Sequence, residues 1–327
     1  MIHAGPLLRT AAAIAALSGL LGMGPALNGQ APANELEVLP VQNGLYLIAG
    51  AGGNILVQVS GNGVLLVDAG APGTSDAVLA AIKSVSLAPV RYIIDTSGDD
   101  DHTGGNEPLS TSGANESVNV PGNSGFAIQT APIVAHEATY LRMSAPTGVP
   151  SARPFGAWPT STFFTAKKTM AFAGEPIEIL FQPAAHTDGD VIVFFRQADV
   201  IAAGDVFVTD GYPVIDVLLG GTIQGLIDAA NRIIDITIPR FNQQGGTLVV
   251  PGHGRISNEA DVVEYRDMIT IIRDRVQRRI DAGRTLDEIL ADGVTADYDG
   301  VHGATTGPWT TPMFVEAVYR TLTGDTP

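Results

Sequence analysis

Asp95-Thr96-Ser97-Gly98-Asp99-Asp100-Asp101-His102-Thr103-Gly104-Gly105-Asn106 is the stretch on which the reading of this chain turns. It sets Asp95, Asp99, Asp100 and Asp101 close together, followed by an imidazole and a glycine pair. Packed like charges repel unless they are solvated or share a cation. The stretch follows the apolar run Val90–Ile94, a predicted strand. It is therefore expected on a strand-end loop, where functional side chains of layered α/β proteins gather. A solvated acidic loop is the plain alternative. An EF-hand frame opened at Asp99 puts Asp101 and Gly104 in register. It also places Thr103 at the fifth position and Ser110 at the twelfth, where the bidentate glutamate should stand, so a calcium loop of that type is excluded.

The same local pattern recurs further along. His186 follows a predicted strand at 177–182, within Ala185-His186-Thr187-Asp188-Gly189-Asp190. Asp205 follows one at 199–203, and His253 one at 247–250 within Pro251-Gly252-His253-Gly254. Taken singly, each reads as a turn or capping residue; together they can meet at one sheet edge. His136 follows a predicted strand at 132–135 and is expected to be structural, and His302 is given no role. Tyr140 and Tyr212 are potential hydrogen-bond donors to a substrate.

Around these motifs the chain alternates strand and helix signals, which predicts an α/β layered fold. Strands are expected at Tyr46–Ile48, through Ile55, Val57 and Val59, and at Val64–Val67, with Gly61-Asn62-Gly63 as a tight turn. A helix is expected over Ser75–Ser86, with Ser75 as its N-cap. Residues 111–125 read as a surface loop. Ile223, Leu226, Ile227, Ala230 and Ile234 recur at helical spacing, and the tail from about residue 258 reads as mainly helical.

Composition bounds the rest. The chain has 327 residues, no cysteine and a formal net charge of −16. Without cysteine there is no disulfide scaffold, thiolate metal site or cysteine nucleophile. The acidic balance argues against nucleic acid as a partner. Arg9, the Ala/Leu/Ile/Gly-rich run from Thr10 to Met23 and Ala31-Pro32-Ala33 have the layout of a secretory signal peptide. The apolar run is short for a membrane span, which needs about 20 residues. Residues 1–33 are thus expected to be removed on export to the periplasm or medium, leaving no stable membrane span and no stated oligomeric state. No P-loop or G-x-S-x-G elbow is present.

Four blocks in order resemble the metallo-β-lactamase superfamily. They are Leu66-Val67-Asp68-Ala69-Gly70, Asp95 to Asn106, His186 to Asp190 with Gly204-Asp205, and Pro251-Gly252-His253-Gly254. Gly211-Tyr212-Pro213, Gly220-Gly221 and Phe314–Tyr319 resemble an exported subgroup of that family. The resemblance covers roughly residues 40–325. It implies a four-layer αβ/βα sandwich over residues 34–257, a C-terminal helical segment over 258–327 packed on the same domain, and a metal site at one edge of the paired sheets. Asp68, and in the same way Asp188 and Asp190, would orient ligands.

The second block of the family reads His-x-His-x-Asp-His, and here Ser97 and Asp99 stand where its leading histidines belong. The resemblance then implies one position held by Asp101, His102 and His253, and an altered one held by Asp99, His186 and Asp205, with Asp205 bridging. One or two zinc ions are expected. Manganese or iron is the alternative, because Asp99 hardens the altered position. The loss of both leading histidines argues against iron-dependent sulfur dioxygenation. The expected activity is hydrolysis of a small ester, lactone, thioester or amide (β-lactams included) by a metal-bound hydroxide, with Asp101 and Asp205 as catalytic residues. The alternative is a non-catalytic relative that binds a small molecule or partner in the same cleft.

Overall fold

The computed structural model describes residues 36–114, 130–144, 152–237 and 246–325. The expected signal segment and residues 115–125 of the expected surface loop lie outside them. Among the described residues, two sheets form the centre. The first runs in chain order: β1 (Glu37–Pro40), β2 (Leu45–Ala51), β3 (Gly53–Ser60), β4 (Gly63–Val67), β5 (Val90–Ile94), β6 (Ile133–His136) and β7 (Ser161–Phe163). Its first four strands pair antiparallel, and β4 to β7 pair parallel. Parallel pairing requires crossovers. These carry α1 (Ser75–Val85), then α2 (Asp100–Thr103) and α3 (Asn106–Ser112), then α4 (Glu137–Ser144).

The second sheet contains β8 (Lys167–Phe172), β9 (Glu175–Phe181), β10 (Val191–Phe195), β11 (Val200–Val208), β12 (Leu248–His253) and β13 (Ser257–Asn258), in the spatial order β13-β12-β11-β10-β9-β8. Only β11 and β12 pair parallel, because α5 (Ile223–Ile236) crosses between them. The C-terminal helices are α6 (Glu259–Asp281), α7 (Leu286–Ala291), α8 (Asp299–His302) and α9 (Thr311–Thr323).

Side-chain alternation builds the layers. On β4, Leu65 and Val67 point into an inter-sheet core with Ile94, Ile177, Ile179, Val191, Phe195 and Val250. Val64 and Leu66 face the other way, against Val78 and Ile82 of α1 and Leu109 of α3. The period of two makes both faces apolar, so β4 reads as an unbroken apolar run. The outer face of the second sheet packs Ile192, Ile201 and Val249 against Leu226 and Ile233 of α5, Ile269 and Ile272 of α6, and Phe314 and Val318 of α9. Each such side chain contributes about 1.5–3 kcal/mol through burial. The architecture is the expected αβ/βα sandwich, with the C-terminal helices sharing its core.

Several local expectations are corrected. Helix α1 does begin at Ser75, but Thr74 is its N-cap residue and neither side chain caps it. The acidic stretch is no open loop: Asp100–Thr103 form a helical turn, which favours Asp100 and Asp101 in its first turn. A helix of that length is too short for periodicity to reveal. Asp205 lies inside β11, and His136 and His253 close β6 and β12 instead of following them. Gly204, at φ +55°, breaks the β11–β12 register and turns Asp205 toward the sheet edge. Among the described residues, no helix is long and apolar enough to cross a membrane.

Candidate metal centre

The site stands where strand ends of both sheets meet, and Asp68 anchors it. This residue leaves β4 at φ +68°, in the left-handed region that Asp tolerates better than most side chains. Its Oδ1 accepts the Thr96 backbone N–H at 2.7 Å, and its Oδ2 accepts the Thr96 hydroxyl at 2.7 Å. The same Oδ2 lies 2.8 Å from His102 Nδ1. That bond fixes the ring and presents Nε2, which sits 3.1 Å from Asp205 Oδ1.

The four carboxylates of the acidic stretch separate. Asp95 is buried and accepts from Asn106 Nδ2 at 2.9 Å; burial pushes its pKa well above the usual carboxylate range. Asp100 pairs with Arg153 at 3.1 Å. Asp99 occupies the N-cap position of α2 without making a side-chain cap, and its Oδ2 lies 2.5 Å from His186 Nε2. Asp101 Oδ2 lies 3.2 Å from His253 Nε2. Ser97 is buried, with its Oγ accepting the Asp99 N–H at 3.3 Å, and it joins no ligand group.

His186 rides the turn between β9 and β10. Thr187 N–H and Oγ–H both donate to Asp190, each at 2.7 Å, which shapes that turn. The His186 Nδ1–H donates to the Val214 carbonyl at 2.9 Å, leaving Nε2 toward the site. Asp190 thus supports His186 through the turn. Asp188, expected to act in the same way, instead pairs with Arg142 at 2.6 Å.

Two sets of three potential ligand atoms result, Asp101 with His102 and His253, and Asp99 with His186 and Asp205. Within each set the atoms all lie within 4.8 Å of one another. Asp205 stands between the sets: Oδ1 is 3.1 Å from His102 and 3.6 Å from His253, and Oδ2 is 3.7 Å from His186. Gly252 makes this approach possible, since a Cβ there would meet Asp205 Oδ1 at 2.2 Å.

The electrostatics follow from this packing. Burial opposes charge on His102, but Asp205 and Asp68 outweigh it and raise its pKa well above the ordinary value. Burial likewise opposes charge on His186, yet the Asp99 hydrogen bond and Asp205 push it up to about 10. The Asp101 hydrogen bond raises His253, and the reciprocal bond lowers Asp101. Asp205 is driven down by His102 and His186 against its own burial. Concentrated negative charge thus favours positive charge at three nitrogens. Imidazole and carboxylate donors without thiolate suit a divalent cation of the zinc, manganese or iron type, and the hydrogen bonds at His102 and His186 Nδ1 free Nε2 for it. The donor set therefore fits the expected metal.

A cavity of about 380 Å³ opens above both sets. Asp99, Asp101, Asp205, His186 and His253 form its floor, and Tyr212, Val214, His302, Pro308 and Trp309 contribute to its walls. His302 and Trp309 were not expected there, and no pattern in the sequence signals that the end of α8 and the segment after it fold back over the site. The Tyr212 hydroxyl donates to Asp299 at 2.9 Å, so it is engaged away from a substrate. His136 stacks on Phe181 at 3.7 Å between centroids and belongs to neither set.

The sequence profile of the metallo-beta-lactamase superfamily matches residues 50–253. No curated protein matches the chain. Among solved structures, a metallo-beta-lactamase from Pontibacter korlensis is 20% identical, with a TM-score of 0.53 over 72% of this chain and 99% of its own. The stereoselective inverting sec-alkylsulfatase Pisa1 from Pseudomonas sp. is 14% identical with a TM-score of 0.59. That match covers 87% of this chain but only 50% of the alkylsulfatase. The metallo-beta-lactamase DIM-1 is 17% identical, with a TM-score of 0.51 over 72% of this chain and 97% of its own.

Proposed function

The chain belongs to the metallo-beta-lactamase superfamily, and on that premise we propose that it is an exported metal-dependent hydrolase of a small ester, lactone, thioester or amide. The observation that carries this reading is Asp205, whose two oxygens face different imidazoles on the floor of an open cavity. Asp101, His102 and His253 would hold one cation, and Asp99, His186 and Asp205 a second. Zinc is the first candidate, with manganese or iron favoured where Asp99 replaces a nitrogen donor. A bound cation supplies Lewis acidity, acidifying water and polarising the substrate oxygen.

The residues of the chain do the remainder. Asp68 and the Val214 carbonyl hold two rings in fixed tautomers. Asp101 is half-exposed toward the cavity and kept ionised by His253, which suits it to orient an incoming water. In the overall reaction the water oxygen bonds to the acyl carbon, the acyl–oxygen, –sulfur or –nitrogen bond breaks, and a proton from water goes to the leaving atom. The N-terminal segment supports export; mass determination of secreted protein lacking residues 1–33 tests that part.

The test of the activity is a panel of neutral esters, lactones and β-lactams with the protein loaded with zinc, manganese or iron. Turnover that disappears in His102→Ala supports the proposal. One specific observation favours a second reading, a binding protein without catalysis: Asp99 forms a tight ion pair with His186 in place of an additional nitrogen donor. Metal content with no turnover across the panel would favour that second reading.

A further inference from the structure

The cavity above the ligand sets has an unusual charge balance. Asp99, Asp101, Asp205 and Asp210 line it, and no lysine or arginine does so among the described residues. A substrate carrying a sulfate or carboxylate would find no guanidinium or ammonium there with which to pair, and the imidazoles of His186 and His253 already face Asp99 and Asp101. Two wall residues, Val214 and Trp309, also line an adjoining groove of about 330 Å³. Its other apolar residues include Leu218, Met313 and Ala317. Leu218 is 70% exposed, Met313 41% and Val214 38%, a concentration of large apolar side chains left open to water. The arginine of the groove, Arg320, is paired with Glu316 at 2.7 Å.

Continuity through Val214 and Trp309 makes the cavity and the groove one surface, polar where reaction would occur and apolar beyond. We propose that the cavity receives an uncharged reacting group while the groove seats an apolar chain attached to it, so that the substrate is a neutral ester or lactone bearing an alkyl or acyl tail. This rests on the hydrolase reading for the reacting group, although the groove and its occupant are testable by binding alone. Burial of each methylene in the groove should multiply affinity about threefold to fourfold until the chain outgrows it.

The chain has two tryptophans. Trp158 donates its indole N–H to the Arg153 carbonyl and does not line the cavity or groove. Trp158→Phe therefore leaves Trp309 as a fluorescent reporter on the shared wall. In the metal-loaded W158F protein, N-octylacetamide should change the Trp309 emission saturably, at least tenfold more tightly than N-ethylacetamide. Octyl sulfate should bind at least tenfold more weakly than N-octylacetamide. Leu218→Glu and Met313→Glu, at exposed positions, should each move the octyl-to-ethyl ratio toward one. Calorimetry with the wild-type protein gives the same comparison if W158F does not fold.

Equal affinity for both amides, or octyl sulfate binding as tightly as the neutral ligand, overturns the proposal. A kinetic arm compares 4-nitrophenyl octanoate, 4-nitrophenyl acetate, 4-nitrophenyl sulfate and benzylpenicillin. Selective binding of N-octylacetamide without turnover of any of these leaves the groove assignment standing and removes the hydrolase reading. Ester turnover with no preference for the longer chain does the reverse.

Discussion

Asp68 Oδ2 and His102 Nδ1 lie 2.8 Å apart, both side chains buried, where the chain leaves β4 through Asp68 in the left-handed region. The carboxylate thereby fixes which imidazole nitrogen faces Asp205 and the cavity. Residues that orient a metal ligand in this way typically contribute 10–100-fold in metal affinity. Asp68→Asn is expected to weaken metal binding by about that factor while the fold survives. Asp68→Ala should in addition lower the melting temperature, because the Thr96 N–H and hydroxyl lose their buried acceptor. Metal titration beside thermal denaturation separates the two effects; unchanged affinity in both variants would remove this role from Asp68.

The two ligand sets are expected to lose metal independently. His253→Ala should deplete the set of Asp101 and His102, and His186→Ala the set of Asp99 and Asp205, whereas Asp205→Ala should weaken both because its oxygens face both. Elemental analysis after exhaustive dialysis reads this directly. Identical stoichiometry in all three variants and the parent would contradict the arrangement.

Asp99 is, with Ser97, one of the two positions that stand where the leading histidines of the family motif belong. Its side chain is 31% exposed and uses no helix-capping bond, so a larger ring can be accommodated. Asp99→His exchanges an oxygen donor for a nitrogen donor, and zinc retention should rise relative to manganese. A lower zinc-to-manganese preference in the variant would show that Asp99 does not contribute a donor.

Gly53 lies against the ring that Asp68 holds. A Cβ there would meet His102 Cε1 at 2.8 Å and Nε2 at 3.0 Å. Because Asp68 fixes the ring through Nδ1, Gly53→Ala should displace Nε2 and reduce metal affinity at least tenfold, with a stability loss of about 1–3 kcal/mol. Metal affinity equal to that of the parent would mean that the ring has room to yield.

Asp190, in the turn that carries His186, gives a pH dependence of its own. Burial raises its pKa to about 6, against the opposing pull of His186 and the Thr187 bonds. In the folded chain it therefore keeps its proton over a range where the unfolded chain has released it. The folded state binds more protons there, so stability falls as pH rises from about 4 to about 6, by on the order of a few kcal/mol. Asp190→Asn should flatten that slope. Urea denaturation at pH 4, 5 and 6 measures it, and parallel slopes in parent and variant would rule the assignment out.

The sheets were legible because apolar side chains recur along them with a fixed period. The runs Val90–Ile94 and Val191–Phe195 match strands residue for residue, and Val64–Val67 matches β4 apart from its first residue, Gly63. Helices α5 and α6 were legible from their 3.6-residue stripe. Helix α2 was not, since four residues hold no period, and neither were the short strands β1, β7 and β13. The extension of β11 past Gly204 was hidden for a different reason. A glycine followed by an aspartate reads as a strand end, and only pairing with β12 carries the strand onward.

The linear order of residues determined the layers, the family and the six side chains that gather at the sheet edge, because those depend on local periodicity and short motifs. Tertiary structure decided how the carboxylates divide, with Asp95 buried on Asn106, Asp100 on Arg153, and Asp99 and Asp101 on different imidazoles. It also decided that the end of α8 and the segment after it bring His302 and Trp309 over the site, beside an apolar groove. The physical reason is reach: a carboxylate takes the nearest donor available in three dimensions, and those donors lie on parts of the chain that sequence spacing does not connect.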